Sequence, residues 1–265
     1  RMPNDPYIAK TSLTDSDNVW TSVEERPTTT AHWAICKAQN YFKNAFDLNI
    51  KDALQVYVEM YGYYNSAFGK AEYNTLFGKK PFNFIKIGKI NGNYCSTVDI
   101  VAHEYAHCLI SYYSSKLVYR GESGALNESF ADIFANLAER SILGRNDWKL
   151  GEDVGVVVRD LSNPECSYYG GQNWITPNDA TDLGVHRNSG VQSKWFQLIY
   201  DEIGINDART LVQWTERCLN PTSKYRDSKN ISIFLSQIFF GKCSDEHKAV
   251  VDAWYEVGVS PLNSS

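Results

Sequence analysis

Apolar residues recur along this chain with two different periods. From about Thr30 to Phe46, Trp33, Ile35, Ala38, Tyr41, Phe42 and Ala45 follow helical spacing, which predicts an amphipathic helix. The period then shortens: Ala53 to Met60 and Phe82 to Ile90 read as strands, the second stopping at the Asn91-Gly92 turn signal. The Gly-, Tyr- and Asn-rich chain between them reads as a long surface loop. Helical spacing returns over Ser96 to Ser115, with Ser96 and Thr97 as candidate N-caps and Asp99 in the first turn, where the helix dipole favours a carboxylate. A second helix is expected over about Glu122 to Arg140. Past a Tyr-, Gly-, Asn- and Pro-rich stretch from Asn163 to Asp182, the segments Ser189–Ile203, Asp207–Cys218, Ser228–Phe240 and Asp245–Val257 each carry a helical apolar stripe. Residues 1–30 show little periodicity and read as an extended lead-in. Strands early and helices late predict an α+β half, residues 1–115, joined to a mainly α-helical half, residues 116–265.

Composition narrows the class of protein. The chain has 265 residues, 43% of them hydrophobic, enough for a large core and too apolar for a disordered chain. Its formal net charge of -5 argues against nucleic-acid partners and against a general affinity for anionic lipid. No run approaches the length of a membrane span, and Arg1 to Lys10 is polar and Pro-containing, as expected of a mature form cut from a precursor or of a trimmed chain. The six cysteines are even in number and form no CxxC pair; an oxidising compartment is permitted, and Cys218 with Cys243 is the expected disulfide.

The candidate chemistry sits in the first long helix. His103-Glu104-Tyr105-Ala106-His107 is an HExxH sequence: residues four apart share a helical face, so both imidazoles can converge on one metal with Glu104 beside them. A catalytic zinc needs a third protein ligand and an open position, and His2Glu is a standard set. The next helix offers Asn127, Glu128 and Asp132, with Glu128 and Asp132 on one face. Glu128 suits the ligand role. Asp132 suits the carboxylate that a ligating histidine holds through its other ring nitrogen.

With the stretches Ala31–Asn44, Leu117–Ala135, Asp147–Val154, Arg159–Pro164, Gly184–Gly190 and the C-terminal VDAWYEVGV, these residues make the chain resemble the thermolysin-like family of zinc endopeptidases. The resemblance implies a two-lobed fold with a central HExxH helix, here with a shortened β-containing N-terminal lobe. It implies one catalytic zinc on His103, His107 and Glu128, with Glu104 as general base and Asp132 and Asn127 orienting the histidines. Tyr119 and His186 match donors to the tetrahedral oxyanion, and Arg159 matches an arginine that binds a substrate carbonyl. Ile100, Leu150, Val154 and Val158, with Arg159, would line the pocket for the residue after the scissile bond, giving cuts before apolar residues. The implied protein is a secreted monomer acting on peptides or proteins.

Three departures from the family pattern bear on that reading. The strand that pairs with substrate reads Ser66-Ala67-Phe68-Gly69, with Ser66 where the family carries Asn, followed by an insertion to about Pro81. The position expected to hold an acid behind His186 is Thr181, with Asp182 the nearest carboxylate. Asp99, Glu139, Asp147 and Glu152 match a paired calcium site, but Lys149 replaces one acid, so a single calcium is expected. Two alternatives stay open: an HExxH aminopeptidase, although no GxMEN-like sequence is present, and a catalytically silent zinc protein acting in binding or adhesion. A serine hydrolase is disfavoured because no GxSxG elbow occurs.

Overall fold

Helix α1 runs Arg26–Ala45 and buries Ala31, Ala34, Ile35, Ala38 and Phe42, a single stripe of small residues ended by one large ring. In the computed structural model, which describes residues 26–46, 56–60, 68–70, 83–145, 147–176 and 182–259, this stripe lies against the two central helices. Phe42 and Phe46 meet Phe134 edge-on, at ring-centroid distances of 6.4 and 4.7 Å.

Three short strands follow, β1 (Val56–Met60), β2 (Phe68–Lys70) and β3 (Asn83–Ile87). They form a sheet of order β1-β3-β2, β1 parallel and β2 antiparallel to β3. The stretch that periodicity reads as a loop thus contains β2, which overlaps the strand that the family resemblance implies at residues 66–69, with Phe68 opposite Lys86. The expected strand starting at Ala53 is described from Val56 onward. Ser66 and Ala67 lie outside the described residues, as do residues 1–25 of the expected lead-in; its last five residues, 26–30, are helical and open α1, one turn earlier than the apolar spacing predicts. A hairpin of β4 (Lys89–Ile90) and β5 (Asn93–Tyr94) turns the chain into α2.

Helices α2 (Val98–Tyr113) and α3 (Gly121–Leu143) form the centre of the molecule. Seventeen consecutive residues of α3, Ser123 to Glu139, are buried, and α2 is buried nearly all round from Val98 to Ile110. A helix enclosed on every side has nowhere to put polar groups except against one another, so its acids and imidazoles must find partners inside. The two run antiparallel, with His103 opposite Asp132 and His107 opposite Glu128. At the far end of α2, the Ser115 N–H and hydroxyl donate to Glu216 Oε1 at 3.2 and 2.5 Å, and the Ser114 hydroxyl donates to the other oxygen. Burial pushes the Glu216 pKa up despite these bonds.

After α3 the chain forms a two-stranded ribbon, β6 (Lys149–Leu150) with β7 (Arg159–Asp160), enclosing a single 3-10 turn at Glu152–Val154. Helices α4 (Asp182–Asn188), α5 (Gly190–Cys218), α6 (Tyr225–Phe240) and α7 (Asp245–Glu256) complete the fold. The two helical segments expected between Ser189 and Cys218 are both present within α5, separated by a kink at Gly204, whose φ of 77° and ψ of 166° are not helical. Trp195 stacks on Trp254 at 4.6 Å, and the Trp254 indole N–H donates to Ser232 Oγ. The expected disulfide is corrected: all six cysteines are free, with Cys218 and Cys243 both exposed. The stacked tryptophans and their apolar surroundings hold α5 and α7 together without a crosslink.

Candidate active site

Facing imidazoles of α2 and carboxylates of α3 form a polar cluster within the core. The Asn127 amide N–H2 donates to the Leu117 carbonyl at 3.0 Å, which turns Asn127 Oδ1 toward His107 Nδ1, 2.7 Å away. That nitrogen therefore carries a proton and donates it. His103 Nδ1 lies 2.8 Å from Asp132 Oδ1 and is a donor for the same reason. With both Nδ1 atoms committed, Nε2 is the atom of each imidazole left to take a proton or a metal, and these two nitrogens face each other across 3.0 Å. Glu128 adds its two oxygens, Oε1 at 3.3 Å from His107 Nε2 and Oε2 at 3.5 Å from His103 Nε2. Glu128 is 1% exposed, and its Oε2 has no hydrogen-bond donor.

Such a cluster is built for positive charge. Burial disfavours a charged His107, yet Glu128, with Glu104 and Asn127, pushes its pKa up to about 9. Burial likewise opposes ionisation of Glu128, but His107, His103 and Arg159 hold its carboxyl well below the ordinary range. Three converging acceptors, two imidazole and one carboxylate, are the His2Glu donor set of a catalytic zinc, so these residues fit that metal. Glu104 is buried and brings a carboxylate oxygen within 4.8 Å of a ring nitrogen of both histidines.

Around this centre stand the other expected residues. The Tyr119 hydroxyl donates to Glu128 Oε1 at 2.5 Å and lies 3.2 Å from His186 Nε2, itself 3.4 Å from Glu128 Oε2. Tyr119 and His186 keep about 40% of their surface exposed, so they form the open side of the site. Behind His186, Asn188 pairs with the backbone of Ile175 through both amide groups, and the Tyr225 hydroxyl donates to the Asn188 carbonyl. Thr181 lies outside the described residues, and Asp182 is the first residue of α4.

Arg159 grips Asp132 with two nitrogens, Nε to Oδ2 at 2.8 Å and Nη2 to Oδ1 at 2.7 Å. Asp132 thereby serves His103 and Arg159 together, a coupling that spacing alone does not reveal. In the β6–β7 ribbon Leu150 is the register partner of Arg159. Ile100, Leu150 and Val154 are buried, whereas Val158 is 44% exposed and packs over Gly151.

The acids expected for calcium gather at the other end of the α2–α3 pair, with one change. The cation among them is Arg145: its Nη2 donates to Glu139 Oε1 at 2.7 Å, to Glu152 Oε1 at 3.0 Å and to Asp153. Lys149, which stands where the family carries one acid, is the register partner of Asp160 in the ribbon, whose carboxyl the Ser162 hydroxyl, the Ser162 and Asn163 N–H groups and the Lys149 charge hold low against burial. Asp147 accepts from the Lys149 backbone N–H, and Asp99 from that of Gly151. Three buried oxygens here, Asp99 Oδ1, Glu139 Oε2 and Glu152 Oε2, have no donor. Burial, reinforced by the neighbouring Asp99 and Glu152, pushes Glu139 up to about 7 even beside Arg145.

Known proteins resemble this chain in sequence and in fold. Residues 2–111 match the family model described as thermolysin metallopeptidase, catalytic domain, and residues 115–259 match its alpha-helical domain. Relatives include a bacillolysin of Bacillus amyloliquefaciens, 29% identical over 94% of this chain and 47% of its own length. The neutral protease NprE of Bacillus pumilus is 26% identical over 94% of this chain and 82% of its own. The chain spans about half the length of most of the curated relatives it matches. A solved structure of a protealysin precursor, a metalloproteinase from Serratia proteamaculans, shares the fold with a TM-score of 0.70 at 22% identity, covering 91% of this chain and 80% of that one. The two family models together run through nearly the whole of this sequence, and the chain belongs to the thermolysin metallopeptidase family.

Proposed function

We propose that this chain is a secreted, monomeric zinc endopeptidase that cuts peptides before apolar residues. The observation that carries the reading is the convergence of His103 Nε2, His107 Nε2 and Glu128 on one point while both Nδ1 atoms are held by Asp132 and Asn127. Zinc held by those three residues would polarise the scissile carbonyl and acidify a water. Glu104 takes the water's proton and delivers it to the departing amine. The Tyr119 hydroxyl and the His186 ring, side by side at the open edge, supply hydrogen bonds to the oxygen on which negative charge develops. Asp132 keeps Arg159 and His103 in fixed relation, so the substrate carbonyl bound by the arginine is registered against the metal ligands. Ile100, Leu150, Val154 and Val158 beside Arg159 favour an apolar residue after the cut bond.

A mixed peptide library tests this directly. Internal cuts before Leu, Ile, Val or Phe are expected, lost with a zinc chelator and regained with zinc. A folded, zinc-loaded protein that cuts no peptide would overturn the peptidase reading and favour the silent binding protein. Tyr119, His186, Arg159 and Glu104 standing together speaks against that alternative, since binding alone needs none of the four.

We also infer one structural calcium. Asp99, Glu139 and Glu152, with Asp147 nearby, offer the hard oxygens the ion requires, and Arg145 supplies the remaining positive charge that would otherwise call for a second one. Calcium binding only the folded state would stabilise it by about 2.7 kcal/mol at a hundredfold excess over Kd. Differential scanning calorimetry is expected to show Tm rising with calcium and one calorimetric binding site. An unmoved Tm at saturating calcium would mean that Arg145 alone satisfies the acids.

A further inference from the structure

Resting on the peptidase reading, we propose that Gly124 is a positioning residue: its missing side chain lets the two segments carrying Tyr119 and His186 close on Glu128 at the same time. Gly124 is buried in α3, one helical turn before Glu128. Glycine inside a helix costs about 1 kcal/mol relative to alanine, so a reason for it must lie in what surrounds it. A Cβ built there would stand 2.6 Å from Val185 Cγ1 and 3.1 Å from the carbonyl carbon of Tyr119. The first distance is a collision, and the second is tighter than ordinary packing.

The atoms that crowd this position belong to the two donor segments. Val185 immediately precedes His186 on α4, and Tyr119 is the other donor. Neither neighbour yields readily. Valine is branched at Cβ and held to few rotamers, and the Tyr119 atom is backbone. That backbone is itself tethered, because Asn127 binds the Leu117 carbonyl and the Gly124 N–H donates to the Arg120 carbonyl at 2.9 Å. A methyl group at 124 therefore presses α4 outward, carrying the His186 ring away from Tyr119 and Glu128, while His103, His107 and Glu128 keep their places. Displacing a donor by about 1 Å weakens stabilisation of the oxyanion without weakening the metal site.

The experiment compares wild type, Gly124→Ala, Val185→Ala and the double variant. Gly124→Ala is expected to keep one zinc and a KM within about twofold, while kcat falls about tenfold or more. A phosphonamidate peptide, which imitates the tetrahedral oxyanion, should bind more weakly by a similar factor. The His186 ring signals in nuclear magnetic resonance spectra of the zinc-free protein should shift. Val185→Ala removes the colliding Cγ1, so the double variant should regain most of the kcat and return the His186 signals toward wild type. If Gly124→Ala does not fold, the double variant carries the test. Wild-type kcat in Gly124→Ala, or a double variant that is unfolded or no better than the single one, would overturn the positioning role. A wild-type protein without peptidase activity would overturn the functional reading instead, and the His186 signals would still report whether residue 124 sets the ring's position.

Discussion

Glu104→Ala is expected to retain zinc and to lose about 10²–10⁴-fold in kcat/KM, the range associated with removing a general acid–base group. The separation of the two effects follows from geometry. His103, His107 and Glu128 make the converging set, with Glu128 contributed by the facing helix. Glu104 is one residue on from His103, so its carboxylate comes near the imidazoles from beside them. Removing it takes away the carrier of the proton and leaves every donor of the set in place. Hydrolysis of a fluorogenic peptide, with metal content measured on the same sample, checks both halves. Undiminished turnover in a preparation free of other proteases would sink this role for Glu104.

Glu128→Gln is expected to have the opposite signature, with zinc itself lost. The substitution keeps the shape of the side chain but removes a carboxylate that faces His103, His107, His186 and Arg159 together. Residues that merely orient a ligand commonly command about 10–100-fold in metal affinity, and a charged ligand should exceed that. It also leaves buried positive charge with less to balance it, so the folded state should lose stability. Dialysis against a zinc buffer followed by elemental analysis is expected to show most of the protein without metal. Full occupancy would mean that the third ligand is another residue, with Asp132 the first to test.

Much of this was legible from the chain because its information is local. The helices announce themselves in apolar stripes, and HExxH becomes a site by the pitch of a helix alone. Glu128 and Asp132 were found by the same four-residue logic one helix later. What escaped depends on distant parts of the chain. Strand β2 is three residues long, too short for periodicity to mark, and the resemblance alone points to it, because it exists only where β3 accepts it. Sequence shows Lys149 in place of one acid of the cluster, but only the fold pairs that lysine with Asp160 and brings Arg145 from beyond the end of α3 onto the acids. Gly124 looks like an unremarked weakness in a helix until Val185 arrives against it. The disulfide was inferred from cysteine count, which carries no distance.

On the peptidase reading proposed above, the enclosed α2–α3 pair has a consequence for survival during self-digestion. A peptidase cleft engages extended chain, and backbone already closed into buried helical hydrogen bonds cannot be presented that way without local unfolding. His103, Glu104, His107 and Glu128 all lie on such backbone. Arg159 and the irregular stretch after it run nearer the surface. Self-digestion should therefore nick the substrate-gripping periphery first and leave the metal-holding centre intact, so that an ageing preparation loses selectivity before it loses its zinc.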